Sequence, residues 1–161
     1  MTVRLNAIEV FEIAQQIEHN GAQFYCKAAE LFSESDISNM FLELADWETK
    51  HEQVFKDMGD KIVDSTRKTT TELEKKEFDP KLMACLTVFG TVSDSIHKLK
   101  NIQKITDALK TAIEKEKDSI AFYEGLKDFV TDIDDQNKVD AIIEEEMHHI
   151  KILNQALKQR E

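Results

Sequence analysis

Two Glu-x-x-His pairs, Glu48–His51 and Glu146–His149, constrain the fold of this chain more than any other feature. Residues three apart lie on one face of a helix, so each pair points a carboxylate and an imidazole the same way. One such pair is weak evidence, because surface helices produce the pattern by chance. Here both pairs sit in apolar stripes. Phe41, Leu44, Ala45 and Phe55 accompany the first, and Val139, Ile142, Ile143 and Leu153 the second. A charged group on such a stripe is costly unless it is paired or bound to a cation.

Sliding the chain against itself by 98 residues superimposes the two pairs and much else. Glu18 falls on Glu116, Tyr25 on Tyr123, Phe24 on Phe122, Ala14 on Ala112, Asp36 on Asp134 and Asn39 on Asn137. The apolar pattern follows, with Phe11 on Leu109, Leu44 on Ile142 and Phe55 on Leu153. The chain has 2 tyrosines, and each falls on the other. One offset that matches ligand-type residues on both helices of each pair marks a duplicated helical hairpin. Its copies face each other across a pseudo-twofold axis.

The apolar spacing predicts helices over about 4–33, 36–58, 103–131 and 135–159. Ser33-Glu34-Ser35-Asp36 reads as a turn and cap, and Gly59-Asp60 as the stop of the second helix. With 1 proline and 4 glycines, the composition favours long helices over a sheet. Residues 60–79 read as a polar linker in which Lys75-Lys76 is solvated surface. Asp79-Pro80 opens a short helix. Its Leu82, Met83, Cys85, Leu86, Val88 and Phe89 are too apolar for a free linker. The segment 92–102, which contains His97, is ambiguous. A helix of ~22 residues is ~33 Å long, and the crossover is long enough to run back along it. The expected fold is all-α: a four-helix bundle of two hairpins, 4–58 and 103–159, joined by a long crossover at 59–102. Its 161 residues fit a single domain, 1–161.

A net charge of −11 argues against nucleic acid and anionic membranes as partners. No apolar run approaches the ~20 residues that span a bilayer. The N-terminus has no signal-peptide core, so a cytoplasmic location is expected. Cys26 and Cys85 form no Cys-x-x-Cys pair and read as reduced thiols packed in apolar surroundings.

Folded as a bundle, the chain gathers Glu18, Glu48, Glu116 and Glu146 with His51 and His149. Four buried carboxylates are untenable alone. Two divalent cations neutralise them, with one neutral imidazole for each. Carboxylate and imidazole donors suit iron or manganese, and zinc acceptably. Six protein ligands for two metals leave positions open to water, peroxide or dioxygen. Tyr25 and Tyr123 lie two turns beyond Glu18 and Glu116, and read either as donors to a ligand carboxylate or a bound oxygen species or as core tyrosines with satisfied hydroxyls. Glu145-x-x-His148 is a competing register, but it lies off the stripe and breaks the offset. Glu145 remains a candidate to orient a histidine. His19 turns ~100° away from Glu18 and reads as surface, and Trp47 as packing.

The arrangement resembles the ferritin-like di-iron carboxylate proteins, in which two helices each give a Glu and two give Glu-x-x-His. Within them the chain is most similar to the rubrerythrin family. The stretches that carry the likeness are 17–25, Leu44 to Phe55, 116–123 and Ile142 to Leu153; it does not cover 60–102. The resemblance implies two iron ions, with manganese or zinc as alternative occupants. Glu18 and Glu116 would be terminal or chelating ligands, Glu48 and Glu146 bridges, and His51 and His149 caps. The implied reaction couples Fe(II) oxidation to reduction of hydrogen peroxide or dioxygen. Two departures bear on it. Many rubrerythrins carry a further Glu, tied to peroxidase activity, where this chain has Ser119. The two Cys-x-x-Cys pairs of a rubredoxin domain are absent, so electrons are expected from an external donor such as a rubredoxin-type protein. A homodimer or higher homo-oligomer is expected. The alternative functions are a ferroxidase or iron-storage module and a structural bundle with a vestigial site.

Overall fold

The computed structural model describes residues 3–70, 72–78 and 99–161. In chain order these form β1 (Val3–Leu5), α1 (Ala7–Leu31), α2 (Ser35–Thr69), β2 (Lys76–Phe78), α3 (Ile105–Leu126) and α4 (Ile133–Lys158). A 3-10 turn, Lys127–Phe129, follows α3.

α1 begins at Ala7 because Asn6 caps it. The Asn6 side chain accepts from the Glu9 N–H at 2.9 Å, and the Glu9 carboxylate accepts from the Asn6 N–H at 2.8 Å. The reciprocal pair satisfies two donors that a helix start leaves open. The residues before the cap are therefore not helical, contrary to the expected start near residue 4. They form a two-stranded antiparallel ribbon with β2, in whose backbone register Val3 pairs with Phe78 and Leu5 with Lys76. α4 is capped by Asp132, whose carboxylate accepts from the N–H groups of Asp134 and Asp135 at 2.8 and 3.2 Å.

α2 does not stop at Gly59-Asp60. It runs on to Thr69 and ends at Thr70 in the left-handed conformation, φ 52°. Gly59 lies inside the helix and is a contact rather than a stop: a Cβ there would stand 3.4 Å from Gln15 Nε2 and 3.5 Å from Phe11 Cβ, both on α1. The residues beyond it are held by Lys56–Asp60 at 3.0 Å within α2 and by Lys61–Asp135 at 3.0 Å across to α4. Arg67 and Lys68 in the last turn complement the helix dipole.

α1 packs along α2 and α3 along α4, and the hairpins meet through α1 on α3 and α2 on α4. The architecture is an all-α four-helix bundle. Its apolar interior falls into two half-cores. One holds Phe24, Tyr25, Phe41, Leu44, Leu109 and Leu153; the other holds Phe11, Phe55, Phe122, Tyr123, Val139 and Ile142. The 98-residue offset carries each half-core onto the other: Phe24 to Phe122, Phe41 to Val139, Phe11 to Leu109, Phe55 to Leu153. A pseudo-twofold axis between the two explains this exchange. Leu99, just before α3, is also fully buried in the first half-core.

The short helix expected from Asp79-Pro80, with its apolar residues and Cys85, lies outside the described residues, as does His97. Among the described residues no helix is long and apolar enough to cross a membrane.

If Gly59 is a helix-interior contact, Gly59→Ala should raise stability by about 0.5–1 kcal/mol in chemical denaturation, because the new methyl meets ordinary van der Waals distances. A clear loss of stability would mean that α1 cannot accommodate the methyl, against this reading.

Candidate metal centre

Each of the four helices delivers its polar side chains at mid-length, between the two half-cores. Glu18 comes from α1, Glu48 and His51 from α2, Glu116 from α3, Glu146 and His149 from α4. All six are buried, none more than 4% exposed. The bundle thus contains a closed polar layer with apolar packing above and below it.

Within the layer the donor atoms fall into two overlapping groups. Glu18, Glu48, His51 and Glu146 form one, and Glu48, Glu116, Glu146 and His149 the other, with the donor atoms of each group within 4.8 Å of one another. Glu48 and Glu146 belong to both. His51 Nδ1 stands 2.8 Å from Glu146 Oε1 and 3.6 Å from Glu18 Oε2. His149 Nδ1 stands 3.0 Å from Glu146 Oε2, 3.4 Å from Glu48 Oε1 and 3.6 Å from Glu116 Oε1. The Tyr25 hydroxyl donates to Glu116 and the Tyr123 hydroxyl to Glu18, so each tyrosine serves the carboxylate of the opposite hairpin.

Burial and crowding set the protonation of this layer. Burial first, then the charge of Glu146, pushes the Glu18 carboxyl up to about 7. Burial and neighbouring carboxylates hold Glu48 and Glu146 well above the usual carboxylate range. Glu116 goes the other way. Burial acts upward on it, but hydrogen bonds with Glu146 and His149 and the His149 charge bring it below its ordinary value. Burial acts to lower both imidazoles, yet their bonds to carboxylates win. Glu146 and Glu18 raise His51 to about 11, and Glu116, Glu146 and Glu48 raise His149 to about 12. Without metal the layer holds protons where cations would stand.

The donor set fits two divalent cations. Glu18 Oε2 and Glu48 Oε1 are buried without a hydrogen-bond partner, and such an orphaned carboxylate oxygen is what a cation would satisfy. The carboxylate and imidazole donors are those that iron and manganese take.

Other positions separate from the cluster. His148 is exposed, and Glu145 bonds instead to His51 Nε2 at 2.5 Å. His19 is on the surface, 3.3 Å from Glu52. Trp47 is 41% exposed and lies across both imidazoles, its ring centre 6.5 Å from that of His51 and 6.3 Å from that of His149. Cys26 is exposed, not packed as expected; it follows Tyr25 and is rotated by about 100° out of the apolar stripe. Ser119 spends its hydroxyl on the Lys115 carbonyl at 3.1 Å.

Sequence reasoning gave no role to Gly21. A Cβ there would fall 2.5 Å from Glu48 Oε2, so the missing side chain makes room for that carboxylate. The available signals were a glycine inside a helix and the offset, which places it opposite the small Ser119.

The sequence matches the family model described as Rubrerythrin over residues 9–158. Among solved structures it is similar to a protein from Thermotoga maritima described as a candidate ferritin-like diiron-carboxylate protein. The TM-score is 0.71 and the identity 24%, with 98% of each chain covered. That likeness shows the fold to be ferritin-like. Comparison with curated proteins finds no match.

Two outcomes follow from the geometry. Gly21→Ala should displace the Glu48 carboxylate and weaken metal binding by roughly 10–100-fold, the usual cost of disturbing a ligand's support, with helix content kept in circular dichroism. The second concerns pH. The raised Glu18, His51 and His149 bind more protons folded than unfolded. Their contribution to the metal-free protein is therefore full below their unfolded values. It declines as pH rises through about 7 for Glu18, and through about 11 and 12 for the histidines. The melting temperature of metal-free protein should fall from pH 5 to pH 8. The increase produced by added metal should grow over the same range, because metal must displace those protons. A metal-induced increase that shrinks with pH would contradict the protonation pattern.

Proposed function

This chain belongs to the rubrerythrin family, and we propose that it is a di-iron oxidoreductase that couples Fe(II) oxidation to reduction of hydrogen peroxide or dioxygen. The observation that carries this reading is the pair of overlapping buried donor groups, which share Glu48 and Glu146 and leave two carboxylate oxygens unsatisfied. A structural bundle gains nothing from four buried carboxylates, since apolar residues of similar size would pack there at less cost.

The placement supports an assignment of roles. Glu48 and Glu146, common to both groups, would be shared between two bound cations. Glu18 and Glu116 each serve one position and are held by Tyr123 and Tyr25 of the other hairpin. His51 and His149 would each serve one cation through Nδ1, the nitrogen turned to the carboxylates. Burial and nearby negative charge keep both tyrosines well above their ordinary pKa, hence neutral. Each hydroxyl holds a proton beside a ligand carboxylate, placed to donate to an oxygen species reduced in the layer. The half-cores exclude water from the reacting space. Iron held there would supply one-electron redox chemistry between Fe(II) and Fe(III).

Reduction of one hydrogen peroxide to two waters consumes two electrons and two protons. The electrons come from an external one-electron donor, of which a rubredoxin-type protein is the expected kind. Ser119 favours a second reading, a ferroxidase that passes ferric iron on. Where many rubrerythrins carry a further carboxylate, its hydroxyl is bound to its own helix.

Anaerobic Fe(II) titration should break at two metals per chain, and Glu48→Ala should lose most of the iron at one or both positions. With a chemical reductant and repeated additions of peroxide or dioxygen, diferric absorbance should appear and be discharged in successive cycles. Ferric iron that accumulates beyond two per chain would select the ferroxidase reading. A stoichiometry far from two would sink the di-iron assignment.

A further inference from the structure

One break in the internal repeat lies beside the imidazoles of the cluster. The offset that superimposes every ligand places Glu145 of α4 on Trp47 of α2. The two residues treat the imidazoles differently.

His51 turns Nδ1 to Glu146 Oε1 at 2.8 Å and Nε2 to Glu145 Oε2 at 2.5 Å. A neutral imidazole that donates its proton at Nε2 carries its lone pair at Nδ1, the nitrogen facing the other ligands. Glu145 therefore fixes both the tautomer and the ring angle that a metal needs, and it makes the ring a stronger donor. It also adds a negative charge next to one position only.

His149 turns Nδ1 to Glu146, Glu48 and Glu116 in the same way. Among the described residues, however, its Nε2 has no hydrogen-bond partner. Trp47 stands where the repeat puts Glu145, and an indole offers no acceptor. It covers the imidazole, ring centres 6.3 Å apart, without orienting it.

We infer that the two metal positions are inequivalent, the one capped by His51 binding its cation more tightly than the one capped by His149, because Glu145 orients His51 and Trp47 gives His149 no counterpart. The inference rests on the two-metal reading above. Glu145 acts here as a positioning residue, not as a ligand. The chain then fills in order, His51 position first.

The test is titration of the full chain with Co(II), followed by visible absorption and calorimetry at fixed pH. Two steps are expected, separated by roughly 10–100-fold in affinity, the range over which such hydrogen-bond partners act. Glu145→Gln should weaken the first step until the two merge, with the total still two. The Glu145 side chain is 41% exposed, so this variant leaves the core packing intact, and Glu145→Asp should restore part of the separation. His51→Ala should remove the tight step and His149→Ala the weak one. Trp47→Glu, if a thermal melt shows it folded, should tighten the second step. Two equal sites in the unaltered chain, or two steps unmoved by Glu145→Gln, would overturn the inference while leaving the di-iron reading intact. A total other than two would overturn that reading and the inference with it.

Discussion

Four carboxylates cannot be taken out of water side by side unless positive charge goes with them. Each buried ion costs several kcal/mol in lost hydration, and like charges add repulsion. Glu18, Glu48, Glu116 and Glu146 are all in that position here, with His51 and His149 as the cationic side chains of the layer among the described residues. Without metal, the balance is kept by protons. The imidazoles hold theirs far above the usual range, and three of the four carboxyls are pushed upward. Two divalent cations would perform the same neutralisation and also satisfy the oxygens that the protein leaves bare. The need for charge compensation thus links fold, protonation and metal binding.

The bundle meets this need by symmetry. Its two hairpins supply matching donors, and the half-cores that sandwich them exchange under the same offset. Tyr25 and Tyr123 tie each half to the other, because each hydroxyl holds the carboxylate of the opposite hairpin. The symmetry is incomplete, and its departures are informative. Gly21 clears space for Glu48 where the other half has Ser119, and Glu145 grips His51 where the other half has Trp47.

Much of this was legible in the sequence because the repeat supplied a second reading of each position. Glu48 or His51 alone is an ordinary helical residue. Matched to Glu146 and His149, with Glu18 and Glu116 at the same offset, they define a layer before any coordinates exist. What stayed hidden depended on contacts that no local pattern encodes. A glycine serves equally as a helix stop and as a close approach between helices. Only the neighbouring Phe11 and Gln15 decide in favour of the approach at Gly59, and so extend α2 to Thr69. β1 and β2 have three residues each, too few to show a period, and they pair across some seventy positions. Cys26 was placed among apolar neighbours in sequence, but one step of helical rotation carries it out to solvent.

The central claim is that six side chains from four helices hold two cations, with Glu48 and Glu146 shared between them. Crystals grown anaerobically with Fe(II) and measured at the iron absorption edge test it most directly. Two anomalous peaks per chain are expected inside the polar layer, one next to His51 Nδ1 and one next to His149 Nδ1, with the carboxylates of Glu48 and Glu146 between them. A single peak, peaks confined to the acidic surface, or two peaks with no shared carboxylate would contradict it.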